Sequence, residues 1–471
     1  MTGSLPVAII GAGPVGLAAA AHLLARGLAP LVFERGAGVG TSLKAWGHVR
    51  VFSPWGYNID AAARTLLEET GWSAPNPKAL PLGGEIVRHY LEPLAAHPAL
   101  APHLRFGAQV SAIARHGLDK MSSEGRADTP FAICWRDANG AEHRSLARAV
   151  IDASGTWSQP NPMGADGLPV PGEEEAAAHV AYGIPDVSGA ERETYSGRRV
   201  LVVGSGHSAI NVVLDLLRLQ EAAPTTRVTW ALRRNRMEKL LGGGLNDALP
   251  ARGALGLAAT QAIAAGRLDV LAPFAAERIV GGAAGLDVSG RLGTEPWTRT
   301  VDRIVVATGF RPDLAVLREV RVALDPAVEA PPALAPLIDP NLHSCGTVPP
   351  HGAAELAHPE PGFYIVGSKS YGRAPTFLMA TGYEQVRSIA AEIAGDHDAA
   401  RSVHLVLPET GVCSAAPVTA GASGCCGGPA PRDADACCAD DAQAKAEGKD
   451  GCGCDTAAPQ AEAPPRRGTA A

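Results

Sequence analysis

Two short glycine runs constrain the fold of this chain more tightly than any other feature of its 471 residues. The first is Gly11-x-Gly13-x-x-Gly16, preceded by the apolar run Pro6 to Ile10 and followed by the Ala/Leu-rich stretch Leu17 to Ala25. The second is Gly204-Ser205-Gly206-His207-Ser208-Ala209, set between Arg198–Val203 and the amphipathic run Ile210 to Leu219. A strand, a tight glycine turn and a helix in that order form the first half of a βαβ unit, which needs a parallel second strand. Leu31 to Glu34 and Arg227 to Leu232 supply those strands. Arg148 to Ala153 and Arg303 to Ala307 are further apolar runs, ending in Ala-Ser-Gly and Ala-Thr-Gly. Gly362 to Gly367 reads as a last strand and Phe377 to Ala394 as a closing helix. The expected fold class is α/β, one doubly wound unit interrupted by another.

The glycine spacing carries a chemistry. Gly11 permits the tight turn, Gly13 lets backbone amides approach a pyrophosphate, and Gly16 lets helix and strand close together. The helix N-terminus adds positive partial charge. Glu34, closing the second strand, can accept hydrogen bonds from a ribose. Gly204, Gly206 and Ser208 repeat the mechanics with Ala209 in third place. Here the following strand ends not in an acid but in Leu232-Arg233-Arg234-Asn235-Arg236. Guanidinium groups suit a 2′-phosphate and a carboxylate repels it, so NADPH is expected over NADH.

Charge and cysteine usage narrow the partners. Lys+Arg 41 against Asp+Glu 48 gives −7, with no basic run of five or more, which argues against nucleic acid and an anionic membrane surface. Met1 to Ala25 lacks charge, but no basic segment precedes it and glycines and Pro14 interrupt it, so a cytoplasmic protein is expected. No Cys-x-x-Cys occurs, so no redox dithiol is indicated. Beyond about residue 408 the composition turns to Ala, Gly, Pro and Asp, and 408–471 is expected to be disordered. Six of the nine cysteines lie there: Cys425, Cys426, Cys437, Cys438, Cys452 and Cys454. Paired thiolates are soft ligands suited to Cu(I), Zn(II) or trivalent arsenic.

Together these motifs resemble the two-dinucleotide-domain flavoproteins, and among them the flavin-containing monooxygenases. Ala153-Ser154-Gly155-Thr156-Trp157 is similar to their first Ala-Thr-Gly segment, and Ala307-Thr308-Gly309-Phe310-Arg311-Pro312 to the second. The monooxygenase segment Phe-x-Gly-x-x-x-His-x-x-x-Tyr/Trp is not matched: Pro171-Gly172, His179 and Tyr182 stand there at a different spacing. The segment SYGRAPTFLMATGYEQVRS and the Cys-pair tail resemble flavoproteins found among arsenic-resistance genes.

The resemblance implies an FAD-binding Rossmann-type domain split into 1–165 and 301–407, with an NADPH-binding domain, 166–300, inserted. It implies that NADPH reduces FAD, which captures O₂ as a C4a-(hydro)peroxide and oxidises a small soft nucleophile. The alternatives are an NADPH reductase without oxygenation, or a soft-metalloid-binding protein acting through its tail. Thr308, Gly309 and Gly367 join the glycines as expected cofactor-binding residues. Asn58, Lys369 and Arg373 are the expected catalytic residues, Asn58 near an oxygenated flavin and Lys369 to Arg373 beside its pyrimidine edge. Trp46 is expected in the core. The roles of His179, His207 and His351 stay open, as does a homo-oligomer.

Overall fold

A computed structural model describes residues 5–234, 250–342, 348–374 and 377–405. Five parallel strands make a first sheet in the order Phe363–Ile365, Ala149–Asp152, Val7–Ile10, Pro30–Glu34, Leu104–Phe106. A second parallel sheet runs Asp269–Leu271, Arg227–Ala231, Arg199–Val203, Arg303–Val306, Val180–Tyr182. In each, the strand before the glycine turn stands in the middle. Val7–Ile10 and Ala149–Asp152 are buried at every position, as a parallel strand covered on both faces requires.

Three helices stand at or beside the two glycine turns. Helix α1 (Pro14–Leu24) and helix α2 (His207–Ala222) spring from the two glycine turns. Helix α3 (Met379–Ile393) lies against α1, with Ala380 to Ala391 all buried. Two antiparallel three-stranded sheets complete the molecule: Gln109–Arg115 with Phe131–Arg136 and Glu142–Ala147, and Phe274–Gly282 with Gly285–Leu292 and Glu295–Val301. Buried Glu360 pairs with Arg115 at 2.8 Å and Arg126 at 2.6 Å, fastening the first of these sheets to the segment that leads into Phe363–Ile365.

Arg303–Val306 corrects one expected boundary. It pairs with Arg199–Val203, so residues from 301 do not return at once to the first unit. The reason is packing, because Ile304 and Val306 share a core with Leu201, Val203 and Val288. The apolar clusters separate cleanly: two draw only on residues before 152 and after 316, two only on residues 163–307. Where the chain crosses between them, its outgoing and returning segments pair. Asn161 N–H donates to the Gly309 carbonyl and Arg311 N–H to the Gln159 carbonyl, both at 2.9 Å. Among the described residues no helix is long and apolar enough to cross a membrane.

Candidate functional site

The two glycine turns are built alike. Gly11, at φ +100°, runs so close to the neighbouring strand end that a Cβ would sit 2.8 Å from the Ala153 carbonyl oxygen. Gly204, at φ +139°, stands in the same relation to the Ala307 carbonyl, at 2.3 Å. This contact explains why each turn opens on a glycine. The middle glycines differ from the first: a Cβ on Gly13 or Gly206 would meet nothing within 4 Å. Both are helix N-caps without a side-chain hydrogen bond, leaving the first-turn amides of α1 and α2 open. Gly16 is pressed onto the Gly11 carbonyl, where a Cβ would lie at 2.0 Å.

A cavity of about 460 Å³ opens over the first turn and reaches the N-terminal residues of α2. From the first unit come Gly11, Gly13, Glu34, Trp46, Ser154, Gly367 and Ser368; from the second come His207, Ser208 and Asn211. Phe52 meets His207 across it at 5.7 Å between ring centroids. Trp157 and Phe310, one after each Ala-Ser/Thr-Gly, pack at 4.6 Å on its wall. Trp46 therefore lines the cavity, whereas Trp55 is buried in the core. An aromatic residue just past each Ala-Ser/Thr-Gly was a signal that could have revealed Trp157 and Phe310; nothing in the sequence singled out Phe52, Arg50 or Asn211.

Glu34 lines the cavity with its carboxylate engaged. It accepts from Ala12 N–H and Gly36 N–H, both at 2.8 Å, and from the Thr41 hydroxyl at 3.1 Å. The acid thus ties the glycine turn to the next loop. An open amide cradle, no Cβ above Gly13 and a buried acid at the strand end fit an FAD. The second turn, with exposed Arg233 and Arg234 past its strand, fits a phosphorylated dinucleotide.

The three expected catalytic residues are placed otherwise. Asn58 is fully buried, donating to the Ser53 carbonyl at 2.7 Å and the Pro54 carbonyl at 3.0 Å while accepting from the Ser53 hydroxyl. All its capacity goes into holding that turn. Lys369 is buried and donates to Asp152 Oδ2 at 2.7 Å and Ser154 Oγ at 3.0 Å. Arg373 is paired with Glu329 at 3.0 Å, away from the cavity-lining residues. Thr308 donates to the Asn161 carbonyl, and with Gly309 it belongs to the crossing between units. His179 lines a separate cavity of about 860 Å³, touched by Arg303. His207 reaches the shared cavity, and His351 is buried behind it. Among the described residues no group of metal-ligating side chains is assembled. The tail cysteines Cys425 to Cys454 lie outside the described residues, as does the expected disorder of 408–471.

Comparison with known proteins agrees with this build. Residues 6–148 match the family model for FAD dependent oxidoreductase, and residues 88–242 that for L-lysine 6-monooxygenase/L-ornithine 5-monooxygenase. An indole-3-pyruvate monooxygenase, YUCCA1 of Oryza sativa subsp. japonica, is 30% identical over 213 residues, 45% of this chain and 44% of the relative. The chain thus spans under half the length of that curated relative. A bacillithiol disulfide reductase from Bacillus cereus superposes with a TM-score of 0.61 at 19% identity, over 83% of this chain and 99% of that one. An ornithine hydroxylase from Pseudomonas aeruginosa does so at 0.55 and 15% identity, over 84% and 100%. Fold, cradle and matched segments agree: the chain shares the fold of that reductase and that hydroxylase, and its first segment is similar to the FAD dependent oxidoreductases.

Proposed function

We propose that this protein is an NADPH-dependent FAD oxidoreductase that uses O₂ to oxygenate a small, soft nucleophile. One observation carries the reading: the first glycine turn and the opening residues of α2, which follows the second turn, line a single cavity. Transfer between two bound groups requires an approach of about 3–3.5 Å, and one shared cavity supports it. FAD, when bound, supplies the redox and oxygen chemistry. The chain's part is binding, orientation and exclusion of water. The first unit, resumed after residue 309, holds FAD through the amides of α1. The inserted unit holds NADPH through the amides of α2 and the arginines after its strand. Trp46, Phe52, Trp157 and Phe310 wall the cavity and keep water from the reacting groups.

The test measures NADPH oxidation, oxygen uptake and H₂O₂ release by the flavin-loaded protein across candidate nucleophiles. Substrate-stimulated oxygen uptake matching NADPH use supports the reading. NADPH oxidation indifferent to oxygen turns it into a reductase. Arg234→Ala should raise the NADPH KM by about ten- to a hundredfold, the worth of charge-assisted hydrogen bonds, and leave NADH unaffected. Equal losses with both nucleotides would assign the arginine to the fold.

The same reading gives the six tail thiols a soft ion, trivalent arsenic first, and the protein a part in arsenic resistance. Closing a flexible loop around an ion costs little more as the loop lengthens, and binding should release protons. Arsenite titration with thiol counting on the full chain and on 1–410 checks this; an unchanged thiol count in the full chain makes the tail a spacer.

A further inference from the structure

Gln385, on α3, is fully buried, and every atom of its amide is engaged. Its Oε1 accepts from Gly367 N–H at 2.7 Å. Its Nε2 donates to Ser370 Oγ and to His351 Nε2, both at 2.9 Å. Ser370 Oγ donates to the Gly367 carbonyl at 2.8 Å. His351 is buried too, and its Nδ1 lies 3.0 Å from the Pro349 carbonyl. A carbonyl only accepts, so Nδ1 carries the proton and the neutral ring offers a lone pair at Nε2. The partners thereby fix the orientation of the Gln385 amide. At the other end of this chain of bonds, Gly367 and Ser368 line the shared cavity.

We propose that Gln385 and His351 are positioning residues for that cavity: the neutral imidazole, acting through the Gln385 amide, holds the Gly367–Ser368 turn in place, and a second proton on the ring releases it. The cavity is taken as the FAD site, and that part rests on the function proposed above. The cause is donor direction. Protonation puts an N–H on His351 Nε2 facing the Gln385 NH₂. Turning the amide over relieves this clash but brings the NH₂ against Gly367 N–H. A donor faces a donor at one end or the other, and the mismatch reaches the cavity either way.

The surroundings of the ring set where this happens. Burial holds the imidazole below its ordinary 6.5, against the opposing pull of the Pro349 carbonyl, Glu355 and Glu384. Glu355 accepts from Gly352 N–H on the same loop. Glu384 is held by both Arg387 Nε and Nη2 on α3. The Tyr371 ring lies against His351 at 5.7 Å, its phenol pushed up by burial and so neutral throughout.

The experiment uses the full chain, freed of flavin, as wild type, His351→Gln and Gln385→Glu. Backbone hydrogen exchange over 366–372, corrected for intrinsic rates, and FAD affinity by fluorescence quenching are each measured near about pH 7.5 and about pH 5, either side of the histidine range. Wild type should lose protection in acid, with FAD affinity falling about tenfold, the worth of one mismatched buried hydrogen bond. His351→Gln should flatten both responses. Gln385→Glu should reverse them, because a carboxylate accepts from Gly367 N–H and from the protonated ring together. An acid response unchanged in both variants would overturn the proposal, and should His351→Gln fail to fold, Gln385→Glu decides alone. The expected exchange pattern without FAD binding at either pH would sustain the positioning role and sink the cofactor reading. FAD binding with an unaltered acid response would do the opposite.

Discussion

Lys369 and Asp152 pair at 2.7 Å where water has no access, 1% and 0% exposed. Removing one partner leaves the other charge buried and unmatched, which costs about 3–5 kcal/mol. Lys369→Met should lose about that much in urea unfolding, and Asp152→Asn combined with Lys369→Met should regain much of it. A combined loss as large as the single one would mean that the pair's stability is not electrostatic. Lys369 also shows why a residue's role is hard to read from sequence. A lysine after a strand looks the same whether it faces a ligand or a carboxylate 217 positions away, and only the fold brings Asp152 to it. Asn58 misleads likewise, since its partners are backbone carbonyls, which no composition reveals. His358 adds a proton-linked term. It is buried, Nε2 has no hydrogen-bond partner among the described residues, and burial pulls it from 6.5 to about 4. A folded value below the unfolded one gives stability that is complete above the ordinary histidine range and drains away as pH falls from 6.5 towards about 4. The full loss is at most about 3 kcal/mol. His358→Leu should lessen the difference in unfolding free energy between about pH 7 and about pH 4.5, a window on the histidine titration; an identical difference in both proteins would assign it to other groups.

At the scale of elements, the glycines of the first turn separate binding from folding. Gly13→Val places a side chain in open space above the α1 N-terminus, so thermal stability without flavin should hold while flavin retention falls. Gly16→Ala drives a methyl into the Gly11 carbonyl at 2.0 Å and should lower both. Calorimetry of the flavin-free proteins, with flavin absorbance after purification, checks the pair. Should Gly13→Val melt early as well, that glycine would be needed for the turn itself. These turns were legible because their signal is local: the glycine spacing and the strand and helix that flank it fall within one short stretch, although the strand ends that press on Gly11 and Gly204 come from far along the chain. The antiparallel sheets were not. Gln109–Arg115 is largely exposed and pairs with Phe131–Arg136 across a long connection, so neither apolar runs nor turn residues announce it. The boundary near 301 was misjudged for a related reason. Arg303–Val306 reads as a strand in sequence, but which sheet receives it depends on partners a hundred residues earlier.

For the whole molecule, the paired crossing carries a consequence of its own. Every strand of the second parallel sheet lies within 161–309, and every strand of the first lies outside it. The apolar clusters respect the same divide. Since Pro160 and Phe310 already sit side by side in an antiparallel bridge, the ends of the inserted piece are where a tight turn would place them. A chain in which two or three glycines replace 161–309 needs no strand of the first sheet to move. It should fold and keep yellow flavin while losing every response to NADPH, and its absorption spectrum and melting curve would tell. Collapse of the shortened chain would show the two halves to be mutually dependent. If it stands, the inserted unit is a cassette that enters and leaves through a single opening in the chain, so that either unit can be altered without rebuilding the other.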